Sequence, residues 1–156
     1  MIGVHLAEDL VNLAWTGPWA PAALCPLLRQ SFVRAVDLEA LDAGTMRQLH
    51  GWTQQLRAVF DSPSVPKRDN LPPHLHFAEV EDELVQRIKA LTAGGLAIFA
   101  VEAEAERMGV CGRPGCGRVF VDISKNGRRA YCSAKCGNAH AVQRYRERQQ
   151  KPATRA

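Results

Sequence analysis

The chain has 156 residues, of which 46% are hydrophobic and 23% charged, and its formal net charge is +4. That is an ordinary soluble composition, long enough for one sizeable core and one small stapled module. No apolar run is long enough to span a bilayer, and the opening MIGVHLAEDLVNLAW lacks a basic n-region, an uninterrupted apolar core and a small-residue cleavage site. The expectation is a cytoplasmic protein with no membrane partner.

Residues 4 to 15 place Leu6, Leu10, Leu13 and Ala14 on one side, as a short amphipathic helix does, and Thr16-Gly17-Pro18 stops it. Trp15 and Trp19 flank that stop and read as core plugs. Residues 21 to 36 form a second helical segment in which Leu24, Leu27, Leu28 and Val36 can pack, with Pro26 limiting the regularity of its start. Cys25 lies in this apolar run with no acidic or histidine neighbour, so it reads as a buried small residue rather than a nucleophile. A clearer helix runs to Asp61, with Thr45 as its cap and Met46, Leu49, Leu56, Val59 and Phe60 at helical spacing.

Pro63, Pro66, Pro72 and Pro73 mark residues 62 to 74 as a loop. His74-Leu75-His76-Phe77 alternates like a short strand; an H-x-H pair can hold a metal, but no third ligand is assured nearby. Glu79, Glu81, Asp82 and Glu83 then suit the first turn of a helix, where carboxylates meet the helix dipole. Gly94-Gly95 is expected to break or kink that helix, with a further helix from Leu96 to Met108. Nothing along this stretch forms a catalytic constellation, and no enzyme is expected.

From Cys111 to Cys136 the chain reads CGRPGCGRVFVDISKNGRRAYCSAKC. Four of the five cysteines fall here as C-x4-C, fifteen residues, then C-x3-C, the two-pair spacing of a tetrahedral structural zinc site: Cys111, Cys116, Cys132 and Cys136. Gly112, Pro114, Gly115 and Gly117 suit a tight knuckle around the first pair. Val119 to Val121 and Arg129 to Tyr131 read as two strands joined across Ser124-Lys125-Asn126-Gly127. Ser133 is a good N-cap, placing Cys136 in the first turn of a helix running to about Gln150. Knuckle, hairpin and helix make a treble-clef-like zinc finger. Two disulfides would need an oxidising compartment, and four thiolates leave no open position for catalysis on the metal. An iron–sulfur cluster is compatible with the cysteine count, but the hairpin and helix start favour one structural Zn²⁺.

Charge is concentrated in the same region. Residues 111–156 hold eleven Lys and Arg against Asp122 and Glu147, or +9, which leaves −5 on residues 1–110. A basic module on an acidic body is the electrostatic footprint of a nucleic-acid binder. Lys125, Arg128 and Arg129 cluster at the hairpin turn, and Arg144, Arg146 and Arg148 lie on the last helix, where His140, Arg144 and Arg148 recur at four-residue steps. These six cations are the candidate contacts to phosphate or base, though charge runs on helices are often only solvated faces.

Residues 108 to 148 resemble the CGNR zinc finger through Phe120, Asp122, Ser124, Lys125 and Asn126, Arg128-Arg129, Tyr131-Cys132, Cys136-Gly137-Asn138 and Arg144-Tyr145-Arg146. Ala139 stands where that family carries its name-giving Arg. LAEDLVN at 6 to 12 and QLRAVFD at 55 to 61 look like parts of the helical ABATE domain that accompanies the finger. The resemblance implies a bacterial, cytosolic, stress-induced transcription regulator.

The sequence therefore predicts a mainly α N-terminal domain over residues 1–108, with room for a short β-hairpin, a zinc finger with a basic helix over 109–151, and a tail over 152–156. The finger, having little core of its own, is expected to unfold without metal. Duplex DNA is the first partner expected. An acidic protein partner and RNA stay open, as does a homodimer or protein contact through the N-terminal domain.

Overall fold

The computed structural model describes residues 2–31, 38–39, 41–63, 83–103 and 107–150. Among the described residues the helices α1 (Ile2–Thr16), α2 (Pro21–Gln30), α3 (Ala43–Asp61) and α4 (Leu84–Glu102) come first. Strands β1 (Met108–Val110) and β2 (Val119–Val121) and helix α5 (Ala134–Gln150) complete the order.

Helix α1 is apolar on two sides, and the core divides around it. Val4, Ala7 and Val11 join Leu56 and Phe60 of α3, Leu96, Phe99 and Ala100 of α4, and Met108, Val119 and Val121 of the strands. Leu6 and Leu10 instead meet Leu24 and Leu28 of α2, with Met46, Leu49, Val85 and Ile88. Each such fully buried Leu or Phe is favoured by about 1.5–3 kcal/mol over its exposed state. The −5 and +9 parts of the sequence thus share one core, and the predicted boundary at 108/109 falls inside β1.

Several local expectations change. Gly94-Gly95 does not interrupt α4, which is continuous from Leu84 to Glu102. The glycines serve packing instead, because Gly95 lies directly against Gly3 of α1. By length and composition alone α4 is apolar enough to cross a bilayer, contrary to the sequence reading; here it is a core helix packed on α1 and α3. The cap of α3 is Asp42, whose carboxylate accepts the Thr45 N–H at 2.7 Å. Helix α2 is regular from Pro21 and carries Pro26 inside it. The carbonyl that Pro26 leaves without an N–H belongs to Ala22, an exposed residue within reach of water.

Trp19, read as a plug, is half-buried, as is Trp52 of α3, and their indole N–H groups donate to the Met46 carbonyl and the Thr92 hydroxyl, both at 3.0 Å. Cys25 packs half-buried against the core beside Leu24. Val36, the loop after Pro63, the His74/His76 pair and Glu79 to Asp82 lie outside the described residues.

Candidate metal centre and nucleic-acid interface

Strands β1 and β2 pair antiparallel in the register Met108–Val121, Gly109–Phe120 and Val110–Val119, so the knuckle from Cys111 to Arg118 closes the end of this hairpin. The Cys111 N–H donates to the Arg118 carbonyl at 2.7 Å, and the Cys116 N–H to that of Arg113 at 3.1 Å. Gly115 and Gly117 hold φ of 74° and 66°, the left-handed region that turns the chain back within so few residues.

The predicted pairing of 119–121 with 129–131 does not form. Asp122, 1% exposed, accepts the Ser124 N–H at 2.9 Å and the Arg129 N–H at 2.7 Å. A backbone donor given to that carboxylate is lost to a ladder, so residues 122–131 wrap as a loop around Asp122 instead. Burial alone would push the Asp122 carboxyl up; hydrogen bonds from the Ser124 hydroxyl and the Arg129 and Ser124 amides outweigh it and hold the group below the usual range.

The loop delivers Cys132 beside the knuckle, and α5 delivers Cys136. Ser133 caps the helix as predicted, its hydroxyl accepting the Cys136 N–H at 3.2 Å. The Tyr131 ring lies over Gly137, where an added Cβ would come within 3.3 Å of it, and the Tyr131 hydroxyl meets His140 Nδ1 at 3.1 Å. These contacts fix the first two turns of α5.

All four sulfurs lie within 4.8 Å of one another. Cys116–Cys132 and Cys116–Cys136 are 3.7 Å apart and Cys132–Cys136 3.5 Å. A tetrahedral site with Zn–S bonds of about 2.3 Å has S···S edges of about 3.8 Å. Four thiolates of this spacing fit one structural Zn²⁺ and close its coordination sphere. The thiols themselves differ in acidity. Burial, then the neighbouring sulfurs, pushes Cys132 up to about 12, whereas the Ser133 hydroxyl, with Cys132 and Arg113, draws Cys136 down to about 6. Arg113 Nη1, 3.9 Å from the Cys136 sulfur, places a positive charge where thiolate charge accumulates.

The centre is fastened to the helical body by residues that the sequence reading passed over. Asn12 of α1 uses both ends of its amide on Val119: Nδ2 donates to the carbonyl at 3.1 Å, and Oδ1 accepts the N–H at 2.8 Å. This continues the sheet by one side chain. Trp15 is a clamp rather than a core plug: 58% exposed, it lies flat against Gly117 and donates from Nε1 to the Cys116 carbonyl at 3.2 Å. Arg57 of α3 stacks on that ring at 4.9 Å and donates to the Gly117 carbonyl. One signal was present in the sequence, since Glu8, Asn12 and Trp15 recur at helical spacing on α1 between two apolar stripes.

The six predicted cations fall into two groups. Lys125 and Arg128 are exposed on the loop after β2, and Arg144, Arg146 and Arg148 are exposed on α5. Arg129 is exposed as well, but its guanidinium is engaged by the chain itself. Its guanidinium donates to the carbonyls of Val121 at 2.9 Å, Tyr131 at 3.0 Å and Cys132, and lies 3.9 Å from the Glu8 carboxylate. Burial pushes the Glu8 carboxyl above the usual range, the Arg129 charge pulling it partly back. His140, expected to share a basic face with Arg144 and Arg148, is half-buried against Tyr131. Beyond it every residue from 141 to 150 is exposed, so none of the last ten residues of α5 is buried against the described body.

Two cysteines in the knuckle between β1 and β2 and two at the entry to α5, gathered at one point beside a mainly helical body, make a metal centre of zinc-finger type. Residues 107–149 match the family model of the CGNR zinc finger. No curated protein matches the chain.

Proposed function

We propose that this chain is a zinc-stabilised, DNA-binding transcription regulator of the cytoplasm, a binding protein rather than an enzyme, with a treble-clef-like finger as its DNA-contacting part. The observation that carries this reading is α5: a helix rooted at the metal cluster, exposed at every residue from 141 to 150, and bearing Arg144, Arg146 and Arg148. A free helix of that width fits the major groove of B-form DNA, and Lys125 and Arg128 on the neighbouring loop supply further phosphate contacts. Arg129 spends its guanidinium on the loop's own carbonyls, holding the loop that presents them. The helical body, resembling the ABATE domain, orients the finger through Asn12, Trp15 and Arg57.

The test is a fluorescence-anisotropy titration of the zinc-loaded chain against duplex DNA, single-stranded DNA and RNA at two salt concentrations, with a chelated control. Salt-sensitive binding that prefers duplex DNA and needs zinc is expected. Arg128→Ala and Arg144→Ala should each lower the slope of log affinity against log salt by about one. Tightest binding to RNA, or no binding to any of the three, overturns the reading and passes α5 to an RNA or an acidic protein partner.

A further inference from the structure

Helix α5 carries its charges in an order that its position makes informative. Cys136 is buried, and Gly137 and His140 are half-buried against the body, so these residues mark the inward side of the helix. At about 3.6 residues per turn, Tyr145 stands two and a half turns from Cys136 and hence on the opposite side. Asn138, Gln149 and Val142 fall within about 60° of Tyr145 by the same geometry. All four are exposed, Val142 at 50% and Tyr145 at 57%. On the outer side the arc from Tyr145 round to Val142 therefore holds no charge, and Arg148 lies about 60° beyond Tyr145 on its other side.

The cations border that stripe on both sides. Arg144 and Arg148 lie along one edge and Lys135 and Arg146 along the other, while Glu147, the sole acid of α5, falls on the inward side near Cys136. A merely solvated helix has no need to sort its residues in this way. A helix laid in a major groove does: its floor-facing stripe meets base edges, and its two borders meet the phosphates of the two strands.

Resting on the DNA-binding reading above, we propose that Asn138, Val142, Tyr145 and Gln149 form the base-reading stripe of α5, and that it selects sites containing A·T pairs. Asn and Gln side chains match the adjacent donor and acceptor of adenine in the major groove. Val142 and the Tyr145 ring offer apolar surface to the C5-methyl of thymine. From Asn138 to Gln149 the helix rises about 16 Å, the length of about five base pairs at 3.4 Å each. The charge of the borders fixes the occupant as a polyanion, and the uncharged stripe supplies what a bare polyanion trap would lack.

The experiment is selection of binding sites from a randomised duplex pool by the full zinc-loaded chain, followed by titration of the selected site. Wild type, Asn138→Ala, Val142→Ala and Arg144→Ala are compared, with zinc stoichiometry and helix content checked as equal. The expected site contains A·T pairs. Asn138→Ala should lose about tenfold discrimination at one pair while binding unselected duplex within about twofold of wild type. Replacing thymine by uracil in the site should weaken wild type about fourfold at the contacted base and leave Val142→Ala unaffected. Arg144→Ala should weaken every duplex alike. A selected site that Asn138→Ala and Val142→Ala read unchanged, or tight zinc-dependent duplex binding that selects no site, overturns the stripe and leaves DNA binding standing. Failure to bind any duplex overturns both.

Discussion

Gly3 of α1 and Gly95 of α4 meet backbone to backbone: a Cβ on Gly95 would lie 2.6 Å from the Gly3 carbonyl carbon and the Val4 nitrogen, and one on Gly3 would lie 2.1 Å from the Leu91 oxygen. In an isolated helix Gly95→Ala would gain about 1 kcal/mol of propensity. Here the methyl group has only backbone to push against, so overpacking dominates. Gly95→Ala should destabilise the protein by about 1–3 kcal/mol in urea unfolding, whereas Gly51→Ala, with nothing within 4 Å of the new methyl, should stabilise it.

Asp122 organises the loop between β2 and Cys132 through two backbone N–H groups. Asp122→Asn replaces a carboxylate that accepts on both oxygens by an amide that can accept on one. A loss of about 1–3 kcal/mol at pH 7 is expected, the scale of hydrogen bonds to a buried charge. The pH dependence follows from the depressed pKa of Asp122. Its stabilisation is fully present above the unfolded value of about 3.9 and fades as pH falls through the lower folded value. The stability gap between wild type and Asp122→Asn should therefore close below about pH 4, and a gap that holds constant there would contradict the role given to the charge.

The metal ligands were legible because their chemistry is carried by residue type and spacing, and the start of α5 because Ser133 caps by a local bond. The partner of β2 was not legible. The sequence reading ends a helix at Met108 and pairs 119–121 with 129–131; the true partner depends on where the Asp122 carboxylate is buried, a tertiary fact. Arg129 misled for a related reason: composition counts its charge with Arg128, but only the fold shows three carbonyls around its guanidinium. Gly94-Gly95 reads as a breaker because glycine costs helix propensity, and the compensation lies on another helix.

Asn12 replaces a third strand by one side chain, which makes its donor and acceptor both necessary. Asn12→Asp keeps the acceptor for the Val119 N–H but sets a carboxylate oxygen against the Val119 carbonyl. It should destabilise the protein by about 1–3 kcal/mol, and by more than the isosteric change in volume could explain. Stability equal to wild type at pH 7 would show that the Val119 carbonyl is satisfied elsewhere.

Metal removal should not unfold the finger as a free module. Val119 and Val121 are wholly buried in the same core as Val4, Val11 and Phe60, so β2 is held by the body whether or not the sulfurs share an ion. What the ion alone joins is the knuckle to Cys132 and Cys136, and through them the root of α5. Chelation should therefore leave cooperative unfolding of α1 to α4 in place while lowering helix content by about the length of α5. The knuckle would move relative to Trp15, whose indole lies on Gly117 and donates to Cys116. Tryptophan emission should shift on chelation in wild type and much less in Trp15→Phe, where Trp19 and Trp52 report only the body. A chelated chain that loses its cooperative transition altogether would show that the metal holds the shared core and not only its edge.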